Sequence, residues 1–515
     1  MLTKSGMGWT CCLLAATAAH AGGELDATFG DGGRMLYAIA SRDPAQTPGA
    51  LAWAQVSPLK VLPLGDGRSI VLANAATPYD VPISTESVPV AVRIGADGSW
   101  DTSYGIGGRA LVYVGEDYDW RASDAVLLPD GRVVVVGTID NPDGSSDMAV
   151  WALAPGGEPD TTFGVGGLTR LHRGGVPSDA GKAIALLDVD LAGTGSASTV
   201  LVVAGNIRDG LAGPHTLGAA ILSLDGYLCP SGLAGCGNVV GGAGDGYSGE
   251  WRMLRIDTDL CPNDADIDVA DLTGFAAGVS TAIPIAIRGC GDTGVIKHTR
   301  IGNFGGAWAW GASGAYGNQS RSLIGFGPGL AVEVNAIASA PTSGDAGNES
   351  IVVAGFVANA DRSFPAILAA RVTRDAITTA TYGMEIPGDP WQSPGAYAGA
   401  IVVQADGKAV LGGGYAAGDW TYGDAMLMRV NADLTPDDSF GSLAASLPGR
   451  MGYGYTIGGS DRDNRADTLA LTPDGKLLFA GYAYASDDGQ SRYGSVMRVL
   501  QQGDRIFANA FDGSP

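Results

Sequence analysis

At 515 residues, with 45% hydrophobic and 17% charged side chains, the chain can bury a large core, but its 81 glycines and 26 prolines leave too little unbroken sequence for a helical bundle. A formal charge of −23 disfavours nucleic acid and anionic lipid as partners. After the first residues no window approaches the roughly 18 unbroken apolar residues of a membrane span, so membrane insertion is not expected.

Residues 1–21 read as a signal peptide: Lys4, an apolar core from Trp9 to Ala16, then Ala19-His20-Ala21 as a small-x-small cleavage site. Cys11 and Cys12 sit in that core without a lipoprotein box, so the mature chain is expected to start at Gly22 and to be secreted or periplasmic. Loss of Lys4 takes the charge from −23 to −24. Four cysteines then remain, Cys229, Cys236, Cys261 and Cys290, an even number that suggests disulfides in an exported protein. Three pairings are open, with Cys229–Cys236 and Cys261–Cys290 preferred.

The clearest structural unit runs from Ser123 to Leu171. Ala125 to Leu128 and Arg132 to Val136 are apolar runs joined by Pro129-Asp130-Gly131, a tight-turn signature. Met148 to Leu153 and Leu168 to Leu171 add two more runs, so one unit is a four-stranded antiparallel sheet. Its hairpin recurs around Gly65-Asp66-Gly67, Asp406-Gly407 and Asp474-Gly475. Longer-tipped hairpins are expected over Ala183 to Ala204 and Val334 to Ala354, and a seventh between Ala265 and Ile287.

An aromatic followed by glycine marks the units at Phe29, Tyr104, Phe163, Phe304, Tyr382 and Phe440, with a degenerate copy at Phe511. The marks fall roughly 60–80 residues apart, with one gap of twice that, the self-similarity of a solenoid, propeller or array. The final unit lacks a fourth strand, and the mature N-terminus supplies an ending with no hairpin before it. The chain is therefore predicted to be all-β, a single seven-bladed β-propeller domain over 22–515 whose ring is closed by Arg34 to Ile39, with irregular disulfide-containing insertions around 225–300.

The paired LDATFGDGG ending and PDGR or PDGK hairpin resemble the delta-60 repeat proteins, secreted bacterial β-propeller-like chains. The resemblance implies a fold and an exported setting and brings no catalytic residues.

Asp264, Asp266, Asp268 and Asp271 place carboxylates in the manner of oxygen-rich calcium loops, although Val269 and Phe275 stand where that loop needs glycine and glutamate. No cofactor is expected, calcium being the one candidate. Trp308, Trp310, Trp391 and Trp420 are candidates for stacking on a ligand. No GxSxG or HExxH motif occurs, and the histidines are scattered. The expectation is a monomeric, non-enzymatic binding or scaffold propeller for a protein or glycan ligand. A carbohydrate-active hydrolase or lyase on the same ring is the alternative, and a self-assembling surface structural protein a third. Close, buried carboxylates in the channel would favour the enzyme.

Overall fold

The computed structural model describes residues 22–39, 55–76, 87–112, 119–171, 178–189, 198–208, 215–227, 261, 267–277, 280–304, 307–312, 321–340, 350–363, 365–383, 395–417, 422–441, 447–457, 460–462, 464–484 and 492–501. The expected signal peptide, Cys229, Cys236 and Phe511 lie outside them.

Seven sheets form the blades. Blade I runs Gln55–Pro63, Ser69–Ala76, Ser87–Ile94, Arg109–Leu111, and blade II runs Asp119–Leu127, Val133–Asp140, Ser146–Leu153, Leu168–Leu171. Each is antiparallel and taken in chain order from the channel outward. Blade III starts with Ala180–Val189, blade IV with Asp268–Leu272, blade V with Leu330–Ala340, blade VI with Gly395–Val403 and blade VII with Asn464–Leu471. Blades V and VI have four strands; among the described residues blade III has three and blade IV six, the last enlarged by Phe275–Ala277 and Arg321–Gly325.

Blade VII closes the ring. Its outermost strand is Arg34–Tyr37, paired antiparallel with Arg492–Val499 in the register Arg34↔Met497 to Tyr37↔Gly494. Gly494 faces the Tyr37 ring, and a Cβ there would come within 2.2 Å of it. The segment before this strand is anchored as well, because Gly23 N donates to Leu500 O and Leu500 N donates to Glu24 O.

The second strands of blades II and III, VVVVGTID and STVLVVAGNI, are almost continuously buried because both faces of each sheet press on neighbours. Seven apolar clusters result, one at each blade interface. The cluster at the closure mixes Val71 and Val90 of blade I with Leu478 and Val496 of blade VII around Phe29 and Tyr37. Each such side chain contributes about 1.5–3 kcal/mol on burial, so a blade alone could not stand.

The aromatic mark is a corner that locks one blade to the next. Arg498 Nε donates to Asp26 Oδ2 (2.8 Å), its second nitrogen reaches Thr28 Oγ1 (3.1 Å), and the guanidinium lies 4.6 Å above the Phe29 ring. Arg93 repeats this with Asp101, Ser103 and Tyr104, and Arg429 with Asp437, Ser439 and Phe440. In blade II the arginine position holds Ala152, and Arg132 from the hairpin turn supplies the cation to Asp160 instead (3.2 Å). Glycine after the aromatic is obligatory: Gly30, Gly105 and Gly164 have φ of 54°, 53° and 54°, in the left-handed region.

Two marks are not corners. Phe304 ends the strand Thr293–Phe304, and Tyr382 ends Ile377–Tyr382 in blade V. The cause in blade V is legible in the sequence: at the spacing that puts Asp101 behind Tyr104, Tyr382 has Thr379. Without a carboxylate to fold back on the arginine the chain runs straight.

Candidate functional site

The channel acquires its chemistry from a defect shared by all seven blades. Every innermost strand carries a β-bulge, at Pro58/Lys60, Ala122/Asp124, Gly181/Ala183, Val269/Asp271, Val334/Ala336, Ala398/Ala400 and Ala466/Thr468. A bulge inserts one residue, twists the strand and re-aims side chains. It also frees a backbone amide on the neighbouring strand. Asp124 Oδ2 accepts from Ile184 N of blade III (3.1 Å), Asp271 Oδ2 from Ile337 N of blade V (2.9 Å), and Thr468 Oγ1 from Val61 N of blade I (3.3 Å).

Lys60, Asp124 and Asp271 thereby converge from blades I, II and IV. Lys60 Nζ is 2.8 Å from Asp124 Oδ1. Burial alone would lower the Lys60 ammonium, but the charges of Asp124 and Asp271 outweigh it and raise it. Blades I and IV are not neighbours, so this coupling crosses the channel. The Asp271 carboxyl is pushed up to about 6, chiefly by burial and further by the charge of Asp124, against the opposing pull of Lys60. Both its oxygens already accept backbone N–H bonds, from Leu272 (2.8 Å) and Ile337, yet each keeps a lone pair.

A cavity of about 400 Å³ opens beside Lys60 toward the hairpin-turn end, walled by Leu62, Leu127, Ile184, Leu187, Leu272 and Thr273. On the bulge of blade VII lies Asp467, raised by burial although Arg465 Nε stands 2.6 Å away. Arg465 is half-exposed and lies 4.6 Å over the Tyr482 ring, with Arg492 4.5 Å from the same ring and 5.3 Å from Tyr484. Tyr397 of blade VI approaches Arg465 from the opposite wall, and the electrostatics couple the two. Cations and rings thus alternate outward between blades VI and VII, a surface suited to stacking on sugar rings and hydrogen bonding their hydroxyls.

Of the four carboxylates proposed for calcium, Asp264 and Asp266 lie outside the described residues. The other two are not brought together for a cation. Asp268 is bound by Asn206 (2.7 Å), Lys182 (3.0 Å) and Arg288 (3.6 Å), while Asp271 joins the channel group. Among the described residues no three metal-ligating side chains cluster. Trp391 and Trp420 are outside the described residues, and Trp308 and Trp310 lie on the strand Ala307–Ala312 at the edge of blade IV. A disulfide joins Cys261 and Cys290. His298 meets Ser322 at 2.8 Å, but both are sealed inside blade IV, and burial lowers the imidazole to about 3, so the pair stays neutral and out of reach.

Lys60, Asp124, Asp467 and Arg465 escaped the sequence reading. A polar residue directly preceding an apolar pair in the inner strand, Lys60 before Val61-Leu62 and Asp124 before Ala125-Val126, was the available signal.

A family described as "Domain of unknown function (DUF5122) beta-propeller" matches residues 128–163, which supports a β-propeller repeat over that segment. No curated protein matches the chain. Among solved structures it is similar to Trypanosoma rangeli sialidase (12% identity, TM-score 0.39, 93% of this chain and 61% of that one) and to the intramolecular trans-sialidase of Ruminococcus gnavus (10%, 0.36, 90% and 97%). It is also similar to Penicillium chrysogenum α-L-arabinanase (10%, 0.34, 74% and 94%). The chain thus spans about 61% of the Trypanosoma enzyme's length. The channel corrects the expectation of a non-enzymatic binding or scaffold protein, because it holds the Lys60–Asp124 ion pair and the Asp271 carboxyl and not small and apolar side chains alone. At such identities the likeness assigns no residue a role.

Proposed function

We propose that the chain is an exported carbohydrate-active hydrolase built on a propeller of the delta-60 repeat kind. The observation that carries this reading is the Lys60–Asp124–Asp271 group, in which one carboxylate is held by an ammonium while a second is lifted to about 6. Two carboxyl groups in unlike surroundings, one ion-paired and one with its pKa raised, can divide acid from base work. Asp271 keeps its proton into the weakly acidic range and donates it to the departing glycosidic oxygen. Asp124, ion-paired with Lys60, acts on the sugar or on the attacking water. Water supplies the elements of the cleaved bond, and Asp271 is reprotonated from solvent. The Arg465, Tyr397, Tyr482 and Arg492 surface orients the saccharide. The Cys261–Cys290 bridge suits the oxidising compartment of an exported protein.

The test is release of reducing ends from a panel of oligosaccharides by the protein beginning at Gly22. Asp271→Asn and Asp124→Asn are each expected to slow turnover by about 10²–10⁴-fold without loss of folding. Undiminished turnover by either variant, or none by the wild type on any glycan, defeats the reading.

A further inference from the structure

The corner of blade V departs from its siblings in a way that leaves a cation without an anion among the described residues. Arg371 occupies the third-strand position of Arg93, Arg429 and Arg498, and precedes Tyr382 by the interval that separates Arg93 from Tyr104 and Arg429 from Phe440. In the siblings Nε donates to an aspartate at 2.7, 2.7 and 2.8 Å. Blade II has Ala152 at the arginine position, yet its corner aspartate still holds a cation, the hairpin-turn Arg132, as Asp101 holds Arg68 and Asp437 holds Lys408. Blade V breaks that coupling, because Thr379 replaces the aspartate while Arg371 is retained. Arg371 donates to Ser350 Oγ (2.9 Å) and to the Gly407 carbonyl of blade VI (3.1 Å), both neutral, and its Nε is buried with no hydrogen-bond partner among the described residues. Burial lowers the guanidinium, and among the described residues no carboxylate offsets the effect. The outer strand covering it is open to solvent, with Ile377, Thr378 and Thr379 all exposed.

We propose that the blade V corner is a binding site for a small oxyanion, carboxylate or sulfate, which completes the Arg371 Nε and stands where Asp101, Asp437 and Asp26 stand in the other blades. The site is independent of the channel chemistry. A charge-assisted bond to a guanidinium in such a partly dry setting is stronger than one to a surface lysine, and a free carboxylate can bind both Nε and Thr hydroxyls. It also explains why an otherwise unpaired arginine persists beside neutral partners.

The experiment is thermal unfolding of the protein beginning at Gly22 in sodium acetate and, separately, sodium sulfate, each against sodium chloride at matched ionic strength. Wild type is expected to show a saturable rise in Tm of about 2–3 °C at hundredfold excess over Kd. Arg371→Met is expected to lose the saturable rise and keep only the non-saturating salt effect. Thr379→Asp supplies the anion internally: its anion-free Tm is expected to exceed wild type and its response to vanish, which keeps the test open if Arg371→Met folds poorly. Response to one anion alone identifies the preferred oxyanion and supports the site. No saturable response in wild type, or an undiminished one in Thr379→Asp, overturns it.

Discussion

Blades I, II, VI and VII and blades III to V solve the same problem differently. In the first group each blade is locked to the next by an aspartate folded onto an arginine or its substitute above a buried aromatic, with Phe29, Tyr104, Phe163 and Phe440 each at most 2% exposed. In the second group no such corner occurs among the described residues, and in blades IV and V other devices stand in. Blade IV adds strands and the Cys261–Cys290 bridge, and blade V runs its outer strand straight, tying Tyr382 to the Leu434 carbonyl of blade VI. The regular sector carries the closure, whereas Asp271 comes from the divergent one. The comparison teaches that the corner is one way of fixing a blade, and that the bulge that brings Lys60, Asp124 and Asp271 to the axis operates with or without it.

The largest effect should come from the regular sector's clasp. Deleting residues 22–37 removes the fourth strand of blade VII and the Phe29 and Tyr37 anchors, and is expected to convert cooperative unfolding into loss of the folded ring, read by near-ultraviolet circular dichroism. Next, Arg429→Met leaves Asp437, 6% exposed, with Lys408 (2.8 Å) and the hydrogen bonds of Ser439 but without its buried guanidinium, and is expected to cost about 2–3 kcal/mol in denaturant midpoint. The same sector should fail first in acid. Asp26 is held at about 2 although burial alone would raise it, because hydrogen bonds from Thr28 and Lys476 and the Arg498 charge prevail. Asp101 is held well below the usual range by Ser103, and Arg93 and Arg68 add to it; for Asp437, burial opposes the shift, but Lys408, Ser439 and Arg429 still hold it well below that range. Depressed carboxyls stabilise the fold above their unfolded value near 3.9, and that contribution is lost as pH falls from about 4 toward 2. Hydrogen exchange should show the amides of blades VI, VII and I opening before those of blades III to V.

The two sectors were also unequally legible. Alternating runs, DG turns and the aromatic marks carried the blade count and the closure because each is a local rule repeated: only glycine takes the turn, and only an aromatic fills the corner. Phe304 and Tyr382 misled because the mark was read without its aspartate; Thr379 was in view and was decisive. The channel group was only faintly legible, as a polar residue before an apolar pair at Lys60 and Asp124. A bulge shifts one residue of register, and that shift decides whether Lys60, Asp124 and Asp271 face a neighbour or the axis. Asp271, read with Asp264, Asp266 and Asp268 as a linear loop, is separated from Asp268 by such a bulge.

In the divergent sector, Cys261→Ala with Cys290→Ala opens a loop closed over 29 residues and is expected to cost about 2–4 kcal/mol, measured by urea midpoint, with the clasp amides unaffected. The smallest structural effect belongs to the amide clamps. Asn74 bonds both the Ala122 carbonyl (2.9 Å) and amide (3.1 Å) across the blade I–II interface, so Asn74→Ala is expected to lose about 1–2 kcal/mol, against near zero for an exposed asparagine.

Asp271 offers the most direct measurement. Its folded pKa, about 6, lies above the unfolded value, so the folded state holds the extra proton, and stability falls as pH rises from about 4 through 6. The measurement is paired: glycan hydrolysis and Tm of wild type and Asp271→Asn from pH 4 to 8. The expected result is wild-type turnover that declines above about pH 6, a variant slowed by about 10²–10⁴-fold, and a variant Tm that exceeds wild type above that pH. A variant with undiminished turnover, or whose Tm falls below wild type at every pH, would contradict an acid poised in the channel.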